Sequence, residues 1–110
     1  MLKSRIRKTE TEKEIEISIE IDSYEDHSYN EVVVYIGGEL RKALSRYVRD
    51  PEKVDNICAL AREGVEYART HNDIEDIFMV TRNNFWEITT KRYGYNKDYD
   101  VEVKLNKTNK

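Results

Sequence analysis

Residues Ile77-Phe78-Met79-Val80-Thr81-Arg82-Asn83-Asn84-Phe85-Trp86-Glu87-Ile88-Thr89-Thr90-Lys91-Arg92-Tyr93 read as two strands closed by a tight turn. Asn tolerates positive φ at low cost, so an Asn83-Asn84 pair between β-branched and aromatic runs is a hairpin signal with a mechanism. A two-residue loop then sorts the side chains by face, because successive strand residues point to opposite sides. Ile77, Met79, Thr81, Trp86, Ile88 and Thr90 share the side expected to be core. Phe78, Val80, Arg82, Phe85, Glu87, Thr89, Lys91 and Tyr93 share the other. That second side is more apolar than a solvated face needs to be, which makes Phe85 and Tyr93 candidate contacts for a partner.

Upstream of the hairpin, Asp50-Pro51-Glu52 is a helix start, with Asp50 as N-cap, Pro51 preorganised at the first helical position and Glu52 complementing the dipole. Val54, Ile57, Cys58, Ala61, Val65 and Ala68 follow as an apolar stripe running to about His71. Gly64 lies beside this stripe, and a Gly inside a helix costs about 1 kcal/mol relative to Ala, so another backbone is expected to approach closely there. The large Trp86 and Met79 of the hairpin are expected to fill the space beneath these small residues. Cys58, on the stripe, reads as a small hydrophobe with a raised pKa and not as a nucleophile.

Further toward the N-terminus, residues 14–22 alternate cleanly. Ile15, Ile17, Ile19 and Ile21 form one side of a half-buried strand, and Glu14, Glu16, Ser18, Glu20 and Asp22 form the other. The continuous apolar run in residues 31–36 suggests a second strand buried on both faces and hence central, ended by Gly37-Gly38. Leu40, Ala43, Leu44, Tyr47 and Val48 then recur with the helical period. Beyond the hairpin, Tyr99, Val101, Val103 and Leu105 alternate with Asp100, Glu102 and Lys104 as a last strand. The expected order is β-β-α-α-β-β-β. Short connections make the natural solution an α+β fold: a single antiparallel sheet of about five strands with two helices packed on one face. This domain, residues 13–105, would be flanked by a flexible charged arm at 1–12 and a polar tail at 106–110.

With 110 residues, 38% hydrophobic and 37% charged, the chain can bury one core. Its single Cys excludes an intramolecular disulfide, and no apolar leader or run of about 20 apolar residues is present, so a cytoplasmic protein with no membrane partner is expected. Charge is unevenly spread over a net of −3: residues 1–8 hold four cations and no acid, whereas residues 9–31 hold nine acids against Lys13 alone. The acidic block argues against a broad polyanion-binding surface and favours a basic protein partner, since opposite potentials steer encounter.

No grouping carries catalysis. Gly37-Gly38 lacks a phosphate-loop fingerprint, and Glu39 stands where an anion would sit. His27 with Asp22, Glu25 and Asp26, and His71 with Asp73, Glu75 and Asp76, each offer one imidazole without metal-ligand spacing. No catalytic residue, metal or cofactor is therefore expected. The first functional expectation is a protein-binding module, built on Glu14, Glu16 and Glu20 with the Tyr24, Asp26 and Tyr29 loop, or on the turn of Tyr93, Tyr95, Lys97 and Tyr99. Small phage and mobile-element proteins that bind and inhibit a host enzyme or defence system share this compositional profile. The alternatives are a nucleic-acid-binding protein using Arg92, Tyr93, Tyr95 and Lys97 with Lys3, Arg5, Arg7 and Lys8 as a basic arm, and a subunit that self-associates through edge strands as a homo-oligomer.

Overall fold

The structure is a computed structural model, and it describes residues 3–22, 28–71, 77–93 and 98–107. Its elements run β1 (Lys3–Glu10), β2 (Glu14–Asp22), α1 (Tyr29–Leu44), α2 (Pro51–Thr70), β3 (Ile77–Arg82), β4 (Trp86–Tyr93) and β5 (Asp98–Asn106). The strands form one five-stranded sheet in the order β1-β2-β5-β4-β3, antiparallel throughout. This is the expected α+β class and element order. Of the two N-terminal strands, however, only β2 is one that the sequence suggested.

Residues 3–10 form an edge strand where a flexible arm was expected, in register with β2 through Ile6↔Ile19. An edge strand has one neighbour and buries little, so a single apolar residue, Ile6, suffices to seat it. A hydrogen bond between the Ser4 and Tyr35 hydroxyls ties it to α1. Residues 31–36, expected as a central strand, instead lie in the first half of α1. Within that run only Val32 and Ile36 are fully buried, and Leu40, Ala43 and Leu44 continue their row at helical spacing. Gly37 and Gly38 are thus interior helical residues and not a strand end. The helix expected at 40–48 is the last part of α1 and the connection that follows it.

Both helix starts are capped. Ser28 accepts from the Glu31 amide at 3.2 Å, and Asp50 accepts from the Glu52 amide at 3.0 Å, each satisfying an orphan donor. α1 lies over β2, and α2 lies over β4 and β3. The core between helices and sheet holds Ile15, Ile17, Ile19 and Ile21 with Ile88, Val101 and Val103 below, and Leu40, Leu44, Ile57, Ala61 and Val65 above.

The hairpin keeps its expected faces on a different register. Arg82 pairs with Glu87, not Phe85, and the turn spans Asn83 to Trp86. The Asn83 carboxamide accepts from the Phe85 and Trp86 amides at 2.8 and 2.9 Å, so its side chain closes the turn. A slip of two positions leaves side-chain parity unchanged. Close approach to Gly64 is also present, made by a side chain and not by backbone: a Cβ built there would stand 2.7 Å from Thr90 Cβ. Thr90, and not Trp86, therefore lies beneath the small residues of α2. Trp86 is half-buried at the end of the sheet. Among the described residues, no helix is long and apolar enough to cross a membrane.

Candidate functional site

The helices cover one face of the sheet, and the alternation of each strand sends its polar residues to the other. Strand pairing places these residues in rows. One row runs Arg5, Glu20, Asp100, Lys91; the next Arg7, Ser18, Glu102, Thr89; the third Thr9, Glu16, Lys104, Glu87, Arg82. Acids therefore concentrate on the neighbouring inner strands β2 and β5, whereas the edge strands β1 and β3 present Arg5, Arg7 and Arg82.

Glu20 and Asp100 are direct cross-strand partners, an arrangement that costs stability because like charges face each other. Two arginines offset part of it: Arg7 lies 3.4 Å and Arg5 4.0 Å from the Glu20 carboxylate. Exposed pairs of this kind contribute little, on the order of 0–1 kcal/mol. The Ser18 hydroxyl donates to Asp100 at 3.5 Å. Burial, then Glu102, then Glu20 raise the Asp100 carboxyl above its ordinary range, while Ser18 and Lys91 oppose them. The centre of the open face is thus negative and incompletely neutralised.

Of the residues singled out from sequence, Glu14, Glu16 and Glu20 share this face. Tyr24, Asp26, Tyr95 and Lys97 lie outside the described residues, as do the side chains of Tyr29 and Tyr93, whose backbones are the first residue of α1 and the last of β4. Phe85 is exposed on the hairpin turn, with the Lys53 ammonium 4.5 Å from its ring centroid.

Arg92 and Tyr99 are corrections. Both are buried, at 6% and 7% exposure, and they pair across β4 and β5 on the helix side of the sheet. Arg92 Nη1 donates to the Ala68 carbonyl at 3.0 Å, securing a last-turn acceptor of α2. Burial pushes the Tyr99 phenol up, against the pull of Arg92. Parity gave the signal: Arg92 is even-numbered on β4, like Trp86, Ile88 and Thr90, and so belongs to the core face.

Two further residues have clear local geometry. His71 occupies the C-cap of α2, where Nδ1 lies 2.7 Å from the Tyr67 carbonyl and the ring stacks on Tyr67. Cys58 is buried, and burial raises its thiol pKa.

Sequence reasoning missed a second feature, a groove of about 820 Å³ at one end of the sheet. It lies where the α1–α2 connection overhangs the β3–β4 turn and the end of β5. No single stretch of sequence announces it, because its walls come from segments far apart in the chain.

The chain matches no model of a known protein family, no curated protein and no solved structure.

Proposed function

We propose that this protein is a binding module whose open sheet face receives a basic protein surface. The observation that carries this reading is the juxtaposition of Glu20 and Asp100, with Glu102 beside them, at the centre of a face that no described helix covers. A fold selected for stability alone has no use for like charges opposite one another. Lys or Arg side chains laid across β2 and β5 would neutralise both carboxylates and leave no unpaired charge. The compositional profile fits a cytoplasmic inhibitor that occludes a basic surface of a host enzyme or defence complex.

The test compares the intact chain with a Glu16→Lys/Glu20→Lys variant in capture from a lysate of the source cell. The expected result is a basic protein retained by the wild type and lost by the variant. Its retention should also fall as salt is raised well beyond about 0.1 M, where screening acts within about 10 Å. The variant should keep its thermal unfolding transition. Equal retention by both proteins would remove this face from the interaction.

A second reading, self-association, is favoured by a difference between the two edges of the described sheet. The β1 edge is guarded by Arg5, Arg7 and Lys8, whereas β3 carries one charge, Arg82, and leaves Val80 44% exposed. Antiparallel pairing of two β3 edges with helices on the same side requires paired residues to share a face, so the two-fold would centre on Met79 or Val80. A mass measurement in solution should then give a dimer that Val80→Lys converts to monomer. A wild-type monomer at high concentration would exclude it.

A further inference from the structure

The groove at the end of the sheet combines three chemistries. Its floor is apolar, made by Ile15, Ile57 and Leu105. Tyr47, Phe85 and Trp86 add aromatic surface, with Phe85 exposed and Trp86 half-buried. Its rim is cationic, and the cations there are not balanced by the acids beside them. Glu10 is paired with Lys107, and Asp50 caps α2. Arg46 and Arg49 form no ion pair with a described carboxylate, and Lys53 lies over the Phe85 ring.

In a chain with a net charge of −3, this local excess of positive charge beside aromatic rings calls for an anionic occupant with a flat body. The volume lies within the range of about 300–1,000 Å³ usual for small-ligand sites. Arg and Lys suit phosphate oxygens, Arg through its bidentate fork, and aromatic rings accept a base by stacking.

We infer that the groove between the α1–α2 connection and the β3–β4 turn binds a nucleoside phosphate, with the base against Trp86 and Phe85 and the phosphates on Arg46 and Arg49. The site is independent of the acidic sheet face, and a ligand here would act alongside a protein partner there. It is also separate from the region of Arg92 and Tyr99, which are buried.

Trp86 is the only tryptophan in the chain, so its emission reports on the groove alone. Titrating the full chain with ATP should give a saturable change in that emission. Adenosine, without charge, and tripolyphosphate, without a base, should each bind at least about tenfold more weakly, a loss of about 1.4 kcal/mol. Arg46→Gln/Arg49→Gln should weaken ATP binding by about tenfold or more, since two charge-assisted contacts go. Both residues are exposed, so the variant should fold normally by circular dichroism. Phe85→Ala should weaken ATP and leave tripolyphosphate unaffected. No saturable response at millimolar ATP overturns the inference. So does tripolyphosphate binding as well as ATP, which would mean a merely charged rim, and so does an acidic peptide with an aromatic anchor binding more tightly than ATP.

Discussion

Asp100 shows how one side chain can record an electrostatic conflict within a fold. Because burial, Glu102 and Glu20 raise its carboxyl, the folded chain holds that proton more tightly than the unfolded chain does. Protonation at this position therefore stabilises the fold. Its contribution grows as pH falls through the folded value toward the ordinary value of 3.8, and it is lost as pH rises above the folded value. Asp100→Asn should accordingly raise the melting temperature at neutral pH and remove this slope from a series of unfolding curves in the mildly acidic range. Parallel curves for the two proteins would show that Asp100 meets no net repulsion. Arg92 makes the opposite point: a cation that composition alone places on a binding surface is committed to the Ala68 carbonyl inside the molecule. Its neighbour in sequence, Lys91, falls on the other side of β4, and only the period of two distinguishes them.

At the level of elements, legibility followed the amount of apolar surface each one buries. β2, β5 and α2 bury full rows on one side, and the sequence assigns them with nearly their observed limits. α1 was not legible as a helix, because Val32, Val33, Val34, Tyr35 and Ile36 have strand propensity and Gly37-Gly38 looks like a stop. Ser28-Tyr29-Asn30-Glu31 was the available counter-signal, a capping-box spacing that marks a helix start. Burial against β2 outweighs propensity here, leaving Val34 exposed and Val32 and Ile36 in the core. β1 was illegible for the reverse reason, having one apolar residue to show. Within the helices, two glycines separate packing from propensity. A Cβ at Gly64 would collide with Thr90, whereas at Gly38 it would meet nothing within 4 Å. Gly64→Ala should therefore destabilise the protein by about 1–3 kcal/mol through overpacking. Gly38→Ala should stabilise it by up to about 1 kcal/mol through helix propensity. Urea midpoints that moved in the same direction would contradict this account.

For the whole molecule, the order β1-β2-β5-β4-β3 makes the last strand the one that unites the sheet. Without β5, β1–β2 and β3–β4 are two separate hairpins with no hydrogen bonds between them, and two-stranded hairpins are marginal in water. β5 closes both gaps at once, with Val103 facing Ile17 on one side and Ile88 on the other. Tyr99, Val101, Val103 and Leu105 enter the core with it. At roughly 1.5–3 kcal/mol for each such side chain, their burial matches the whole stability of about 5–15 kcal/mol usual for a domain. Folding must therefore wait for a pairing between opposite ends of the chain, which places this protein among slow, non-local folders. A chain ending at Tyr93 should show no cooperative thermal transition, despite keeping both helices and four strands. A cooperative transition in that truncated chain would mean that α1 and α2 hold the two hairpins together unaided, and that the acidic face assembled on β2 and β5 is not built into the core of the fold.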